Sequence, residues 1–375
     1  MLIGIIAVII FLSILVLVHE LGHFLAAKKF GLLVEEFGFG LPPRLWGKKI
    51  GETIYSINAL PFGGFVKIFG ENREDETAPQ LDEEVSVVQM EEEIIASDNE
   101  LIIDEKLIVE KIVIPDHRSF NSLSVGRRAL IILSGVLMNF LLGWLVISIV
   151  FAVGAPQAIV ITQISQNSPA ESIGLQVGDK IINTSADNFI KFTNENRGKE
   201  ITLKIERNGE IKEFFVTPRI NPPADEGVLG IGLIETGAPK QNIFYSVWEG
   251  LKTSIQIIEL VFSAIFNLLK QFFTSGTANL GEVAGPVGIV KITAQAETLG
   301  FSYLLQLLAL ISLNLVVINI FPFPALDGGR LLFLLIEKIK GSPLPVKFER
   351  YANALGMVIL IILMISITIR DIVRF

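Results

Sequence analysis

Two of the chain's three histidines stand four residues apart, with a glutamate directly after the first: His19-Glu20-Leu21-Gly22-His23. On a helix, positions i and i+4 share one face, so both imidazoles can reach a single metal ion. The neighbouring carboxylate is placed to take a proton from a metal-activated water and later to pass it to a leaving amine. The pattern points to metal-assisted hydrolysis of an amide, with His19 and His23 as ligands and Glu20 as general acid/base. The motif lies inside a hydrophobic stretch, where ionisable side chains are costly unless they form a site.

A catalytic zinc takes three protein ligands and keeps one position open. There are no cysteines, which excludes thiolate ligands and disulfides. His117, in Pro115-Asp116-His117-Arg118, reads as an exposed loop histidine among charges. The third ligand is therefore expected to be a carboxylate. Asp327 is the best placed, in Asn319-Ile320-Phe321-Pro322-Phe323-Pro324-Ala325-Leu326-Asp327-Gly328-Gly329. Two prolines and two glycines there oppose a regular helix. Irregular backbone at membrane depth survives only when buried in protein or lining a wet cavity, and from such a break Asp327 can point at a metal. A tetrahedral oxyanion needs a donor besides the metal. Asn319 and Asn314, polar residues in an apolar span, are candidates. Asn139 is a third, although hydrogen bonding between helices, with Gly135 permitting close approach, is the favoured reading for it.

These residues require a membrane-spanning scaffold. The chain has 375 residues, 51% of them hydrophobic, with mean hydropathy +0.57. That is more apolar than a soluble domain and implies an integral membrane protein. Spans are expected over 1–28, carrying the histidine motif, over 129–153, over 303–329, ending in Leu326-Asp327-Gly328, and over 352–369. Residues 243–273 are also apolar but carry Glu249, Lys252, Glu259 and Lys270, and read as an amphipathic helix on the membrane surface. The first stretch lacks a basic lead-in and a small-residue cleavage site, so it reads as a retained span. Net charge is −8, yet residues 71–110 hold 15 acidic and 2 basic residues. Residues 71–118 therefore read as a solvated acidic insertion. Basic residues concentrate at Lys28, Lys29, Arg44, Lys48 and Lys49, at Arg118, Arg127 and Arg128, and at Arg330, Lys338, Lys340, Lys347 and Arg350. These loops are expected on the cytoplasmic side.

Residues 29–70 read as a membrane-associated loop and β-hairpin. Glu35 to Pro43 is rich in glycine and proline and reads as turns. Thr53 to Ile57 and Phe65 to Ile68 read as strands joined through Pro61-Phe62-Gly63-Gly64. A peptide bond inside a transmembrane helix is protected by its own hydrogen bonds, so cleavage requires unwinding, and a strand edge supplies replacement partners. Phe65, Val66, Lys67 and Ile68 are the candidates for that strand addition. Residues 157–220 form a small β-rich domain. It has a helix start at Ser168-Pro169-Ala170-Glu171, a helix stop at Gly174, and an Asn208-Gly209 turn between strands 201–205 and 213–216. Pro218 to Pro223 reads as its end.

The chain resembles the site-2 protease family of intramembrane zinc metalloproteases, of the bacterial regulator-of-sigma-E protease type. The likeness rests on His19-Glu20-Leu21-Gly22-His23, Gly38-Phe39-Gly40, Pro61-Phe62-Gly63-Gly64-Phe65-Val66-Lys67, Phe120 to Asn139, the 157–220 domain, Gly285-Pro286-Val287-Gly288-Ile289, and Asn319 to Gly329. The resemblance implies zinc held by His19, His23 and Asp327, with Glu20 as the catalytic acid/base. It implies a polytopic α-helical membrane protein with about four transmembrane helices, an inserted PDZ-like domain and a small membrane-associated hairpin. It implies a bacterial inner membrane location, with the PDZ-like domain extracytoplasmic and the active site toward the cytoplasm. Implied partners are the lipid bilayer and single-span membrane proteins, such as anti-sigma factors clipped outside or remnant signal peptides, with no nucleic acid. The chain departs in having one PDZ-like domain where some members carry two, and in the acidic insertion. Competing readings are a membrane-embedded protease with a glutamate third ligand, and a zinc-binding but inactive scaffold acting through its PDZ-like domain. The Leu326-Asp327-Gly328 motif disfavours the first, and the intact Glu20 disfavours the second.

Overall fold

A computed structural model describes residues 2–71, 118–182, 184–207, 209–223, 226–238, 240–275 and 284–374. His117, Asn208 and almost all of the acidic insertion lie outside them. Helix α1 (Leu2–Lys29) is followed by strands β1 (Val34–Ile50) and β2 (Thr53–Ile68), then by α2 (Val125–Val153). A soluble domain runs from β3 (Ala155–Ile164) to β7 (Ile231–Ala238). Helices α5 (Ile243–Ser275), α6 (Pro286–Leu299), α7 (Phe301–Ile320), α8 (Asp327–Lys340) and α9 (Val346–Arg374) complete the described chain.

Helices α1, α2, α5, α7 and α9 are each long and apolar enough to cross a membrane. The expected spans 129–153 and 352–369 lie inside α2 and α9 and the first coincides with α1, whereas 303–329 runs past the end of α7 into residues 321–326 and the start of α8; α5 meets the same criterion of length and composition. It packs beside α2: Trp144 Nε1 donates to the Val247 carbonyl at 2.9 Å, and Ile257 and Ile258 join the core formed by Leu15, Val146, Ile147, Leu308 and Leu313. Small residues allow these helices to approach closely. A methyl group at Gly143 would lie 2.7 Å from Leu313 Cγ on α7, and one at Gly22 would run into the α2 backbone at Ser134.

The 34–68 segment is more ordered than its glycine and proline content suggests. Glu35 to Pro43, expected as turns, lies wholly within β1. Residues Phe37, Gly38 and Phe39 pair on one side with Tyr55, Ser56 and Ile57 and on the other with Val66, Phe65 and Gly64. The two stretches expected to form a hairpin with each other are therefore separated by β1. Gly38 is needed for this arrangement, because a side chain there would collide with the Phe65 ring. Phe24 of α1 anchors the sheet, with its ring centroid 5.2 Å from Phe37 and 6.0 Å from Tyr55. Ser13 of α1 donates to the Pro61 carbonyl at 2.8 Å.

The soluble domain has a five-stranded sheet in the order β6-β5-β4-β3-β7, where β4 is Lys180–Ile182, β5 Ile201–Arg207 and β6 Glu210–Val216. It extends past Pro218–Pro223, because β7 returns to pair antiparallel with β3. Ser168 caps α3 (Pro169–Ser172) by accepting from Glu171 N, and Gly174 (φ 75°) follows as the expected stop. Helix α4 (Ala186–Glu195) adds a second helix, capped by Ser185. Its core is closed by Ile159, Ile161, Phe189, Leu203 and Ile205.

Candidate metal centre

His19 and His23 sit on the inward face of α1, both buried. Asp327 reaches them from a different part of the chain. Helix α7 ends at Ile320, residues 321–326 form a non-helical link in which Ala325 adopts φ 76°, and Asp327 opens α8. The two glycines after it, expected to oppose a helix, form the first turn of α8. Methyl groups at Gly328 and Gly329 would overlap the carbonyls of Phe321 and Phe323, so only glycine lets α8 fold back against the link. Asn353 of α9 holds the link by accepting from Ala325 N at 3.1 Å.

Asp327 Oδ2 lies 2.9 Å from His19 Nε2 and 3.5 Å from His23 Nε2, and the two Nε2 atoms are 3.2 Å apart. Zinc with bonds of about 2.0–2.1 Å places neighbouring ligands of a tetrahedron about 3.3 Å apart, so these separations suit one small ion. Asp327 Oδ2 is buried and close to both rings, yet makes no aligned hydrogen bond. A buried carboxylate oxygen left in that condition would be costly without a cation. Gly135 of α2 faces the rings. A methyl there would overlap His23 Nε2 and come within 2.9 Å of His19 Cε1, so its absence keeps open the space beside the ligating atoms. All three observations fit a zinc ion.

The rings are oriented from behind. His23 Nδ1 lies 2.9 Å from the Ile131 carbonyl, an acceptor only, so Nδ1 carries the proton and Nε2 presents its lone pair. His19 Nδ1 lies 3.3 Å from the Asn139 side-chain amide. Asn139 is fully buried, and its backbone carbonyl accepts from Ser312 Oγ of α7 at 2.7 Å. It thus stands behind a candidate ligand. Asn314 and Asn319 are half-buried on α7 and make no side-chain hydrogen bond among the described residues. Glu20 is within electrostatic reach of both histidines and Asp327. Its Cγ would lie 3.8 Å from a Cβ at Gly64, which begins the outer stretch of β2 containing Phe65, Val66, Lys67 and Ile68. Sequence reasoning missed Gly135 as a wall of the site and the Ile131 carbonyl as the brace of His23. The spacing Gly135-x-x-x-Asn139, which puts both residues on one face of α2, was the available signal.

A buried ion pair ties α8 to the start of α2. Arg128 at the start of α2 is buried and pairs through both terminal nitrogens with Glu337, while its Nε donates to the Leu123 carbonyl at 3.1 Å. Arg330, one turn after Asp327, pairs with Glu71.

Residues 7–363 match the model of peptidase family M50. The zinc metalloprotease RasP of Shouchella clausii is 36% identical, over 96% of this chain and 96% of its own. The zinc metalloprotease RasP of Geobacillus kaustophilus is 31% identical, over 99% and 98%. The regulator of sigma-W protease RasP of Bacillus subtilis is 29% identical, also over 99% and 98%. Together with the ligand geometry, these matches establish that the chain belongs to peptidase family M50, the site-2 proteases, and is a zinc metalloprotease.

Proposed function

We propose that this protease hydrolyses peptide bonds within the transmembrane segments of single-span membrane proteins, with His19, His23 and Asp327 holding zinc and Glu20 as the proton carrier. The observation that carries the reading is the convergence of these three ligand atoms, from α1 and α8, beside a glutamate inside an apolar helix. Bound zinc supplies Lewis acidity, acidifying a water and polarising the scissile carbonyl. Beside zinc held by His19, His23 and Asp327, the Glu20 carboxylate would hold the water's proton and return it to the leaving nitrogen. Asn319 and Asn314 remain the candidate amide donors to the oxyanion. Asn139 is assigned to His19 instead, because its amide already faces that ring.

The substrate is held as an added strand on the margin of β2, at Phe65, Val66, Lys67 and Ile68. Support comes from the sheet containing, among the described residues, β1 and β2 alone and from the margin beginning beside Glu20. Proline at the outward-facing amides of 65–68 is expected to lower cleavage while zinc content stays unchanged. The 155–238 domain is read as PDZ-like and extracytoplasmic, and the zinc site as lying toward the cytoplasmic side of a bacterial inner membrane. This follows the distribution of basic residues, Lys28, Lys29, Arg127 and Arg128 at one end of α1 and α2. One relative carries the name regulator of sigma-W protease, which supports anti-sigma factor-like substrates, with remnant signal peptides as a second class.

The test uses full-length protein in detergent with a model single-span substrate, comparing wild type, Glu20→Gln and Asp327→Ala, with zinc quantified in each. Cleavage by the wild type alone, zinc retained in Glu20→Gln and lost in Asp327→Ala, is the expected result. Full zinc and full activity in Asp327→Ala would refute the ligand set. Zinc-loaded wild type inert on every substrate would favour a scaffold.

A further inference from the structure

The His19 ring presents a chemical conflict that the ligand geometry resolves. Its Nε2 is directed at Asp327 and His23, 2.9 and 3.2 Å away. To bind a metal that nitrogen must be unprotonated, so the ring proton must sit on Nδ1. The group behind Nδ1 is the Asn139 amide, whose amino nitrogen faces it at 3.3 Å while its carbonyl oxygen is buried without a hydrogen-bond partner. An amino group can only donate. Facing it, Nδ1 would have to be the lone-pair nitrogen, which puts the proton on Nε2 and blocks the metal. A 180° turn of the amide about its last bond exchanges the two ends at almost no steric cost. The turn replaces a partnerless carbonyl by a partnerless amino group in the same place, so the hydrogen-bond count does not decide between the two. The ligand chemistry does.

We propose that Asn139 is a positioning residue for the metal: its side-chain carbonyl accepts the Nδ1 proton of His19 and so fixes the tautomer in which Nε2 binds zinc. Several features support the assignment. Asn139 is fully buried, so no water competes for Nδ1 from that side. Ser312 on α7 and the close packing of α2 hold its backbone in place. The other histidine is braced in the same sense, Nδ1 to a carbonyl oxygen, by Ile131. Both ligands would then share one tautomer, each secured by an oxygen acceptor supplied by α2. Helix α2 therefore acts as an alignment rail for the α1 ligands, in addition to packing against them.

The inference rests on the ligand set proposed above, and the experiment separates the two. Full-length protein carrying Glu20→Gln is purified in detergent, and its zinc affinity is measured by competition with a chromophoric chelator. Asn139→Leu is expected to weaken zinc binding about 10- to 100-fold, the range for loss of such outer partners. Asn139→Asp keeps an oxygen acceptor at Nδ1 and is expected to bind at least as tightly as the asparagine. His19→Ala serves as the control. If it leaves affinity unchanged, the ligand set itself is wrong. If it abolishes binding while Asn139→Leu binds like the wild type, only the role of Asn139 is refuted, as it also is if Asn139→Asp binds no better than Asn139→Leu. Should the leucine variant not fold, the wild type decides. With three histidines in the chain, nitrogen-15 labelling of histidine gives six ring resonances, assignable with His19→Ala and His117→Gln. In the zinc-loaded protein, a His19 Nδ1 proton that is shifted downfield and protected from solvent exchange supports the proposal, an Nδ1 proton with neither sign of a hydrogen bond overturns the role of Asn139, and a proton on Nε2 overturns the ligand set.

Discussion

Gly135→Ala should damage the zinc site while sparing the fold. A methyl at this position would overlap His23 Nε2 and sit 2.6 Å from His23 Cε1 and 2.9 Å from His19 Cε1. Carbon–carbon contact becomes comfortable near 3.5 Å, so the His23 ring would have to retreat by roughly 1 Å. Metal–ligand bonds tolerate about 0.2 Å. The ring cannot retreat freely, because its other side is tied to the Ile131 carbonyl at 2.9 Å. Overpacking of this kind costs about 1–3 kcal/mol. If that strain falls on the bound state, zinc affinity drops about 5- to 150-fold, at 1.4 kcal/mol per tenfold. The same substitution gains up to about 1 kcal/mol of helix propensity in α2, so global stability should change little. Chelator competition and thermal unfolding in detergent read the two effects separately. Gly126→Ala is the control on the same helix, since a methyl there meets nothing within 4 Å; it should leave both readings unchanged. Wild-type zinc affinity and wild-type cleavage in Gly135→Ala would refute the argument that this glycine keeps space beside the ligating nitrogens.

Three further perturbations probe the supports. Glu337→Ala leaves the buried Arg128 guanidinium without its partner and should cost about 3–5 kcal/mol; thermal unfolding should fall clearly, with zinc affinity lowered as α8 loosens around Asp327. Asp179→Ala removes a carboxylate that takes two bonds from Arg207 at 2.7 Å and one from Gln176 N at 2.9 Å; the soluble domain should become protease-sensitive while zinc content stays at the wild-type level. Glu52 is held below its ordinary carboxylate range by the Arg118 guanidinium, so the pair stabilises the protein above the unfolded-state value and loses that contribution as pH falls through the folded-state value; Glu52→Gln should flatten the acid limb of an unfolding-versus-pH curve, and an unchanged limb would show that the exposed pair is screened out.

How much of this site could be read from the sequence follows from how local each determinant is. His19 and His23 share a helix face by spacing alone, so the motif announces itself. Asp327 is more than 300 residues away, yet the proline- and glycine-rich link before it betrays a backbone that only a buried site tolerates. The link was located, but its end was not: Gly328 and Gly329 read as helix breakers until the carbonyls of Phe321 and Phe323 are seen pressing on them. The same reversal occurs in β1, where Gly38 and Gly40 were read as turn residues. A glycine that serves close approach looks, in sequence, like a glycine that serves a turn, because the absent side chain records no partner. Asn139 shows the complementary limit. A lone asparagine in an apolar span reads as a hydrogen-bonding residue between helices, and its side-chain amide lies 3.3 Å from His19 Nδ1 on α1. That the partner is the hidden nitrogen of a candidate metal ligand depends on α1 and α2 meeting at Gly22 and Gly135, residues more than a hundred positions apart. The chain's chemistry is thus written in its ionisable residues, while the alignment of that chemistry is written in its glycines, whose meaning is fixed only by the helices they bring together.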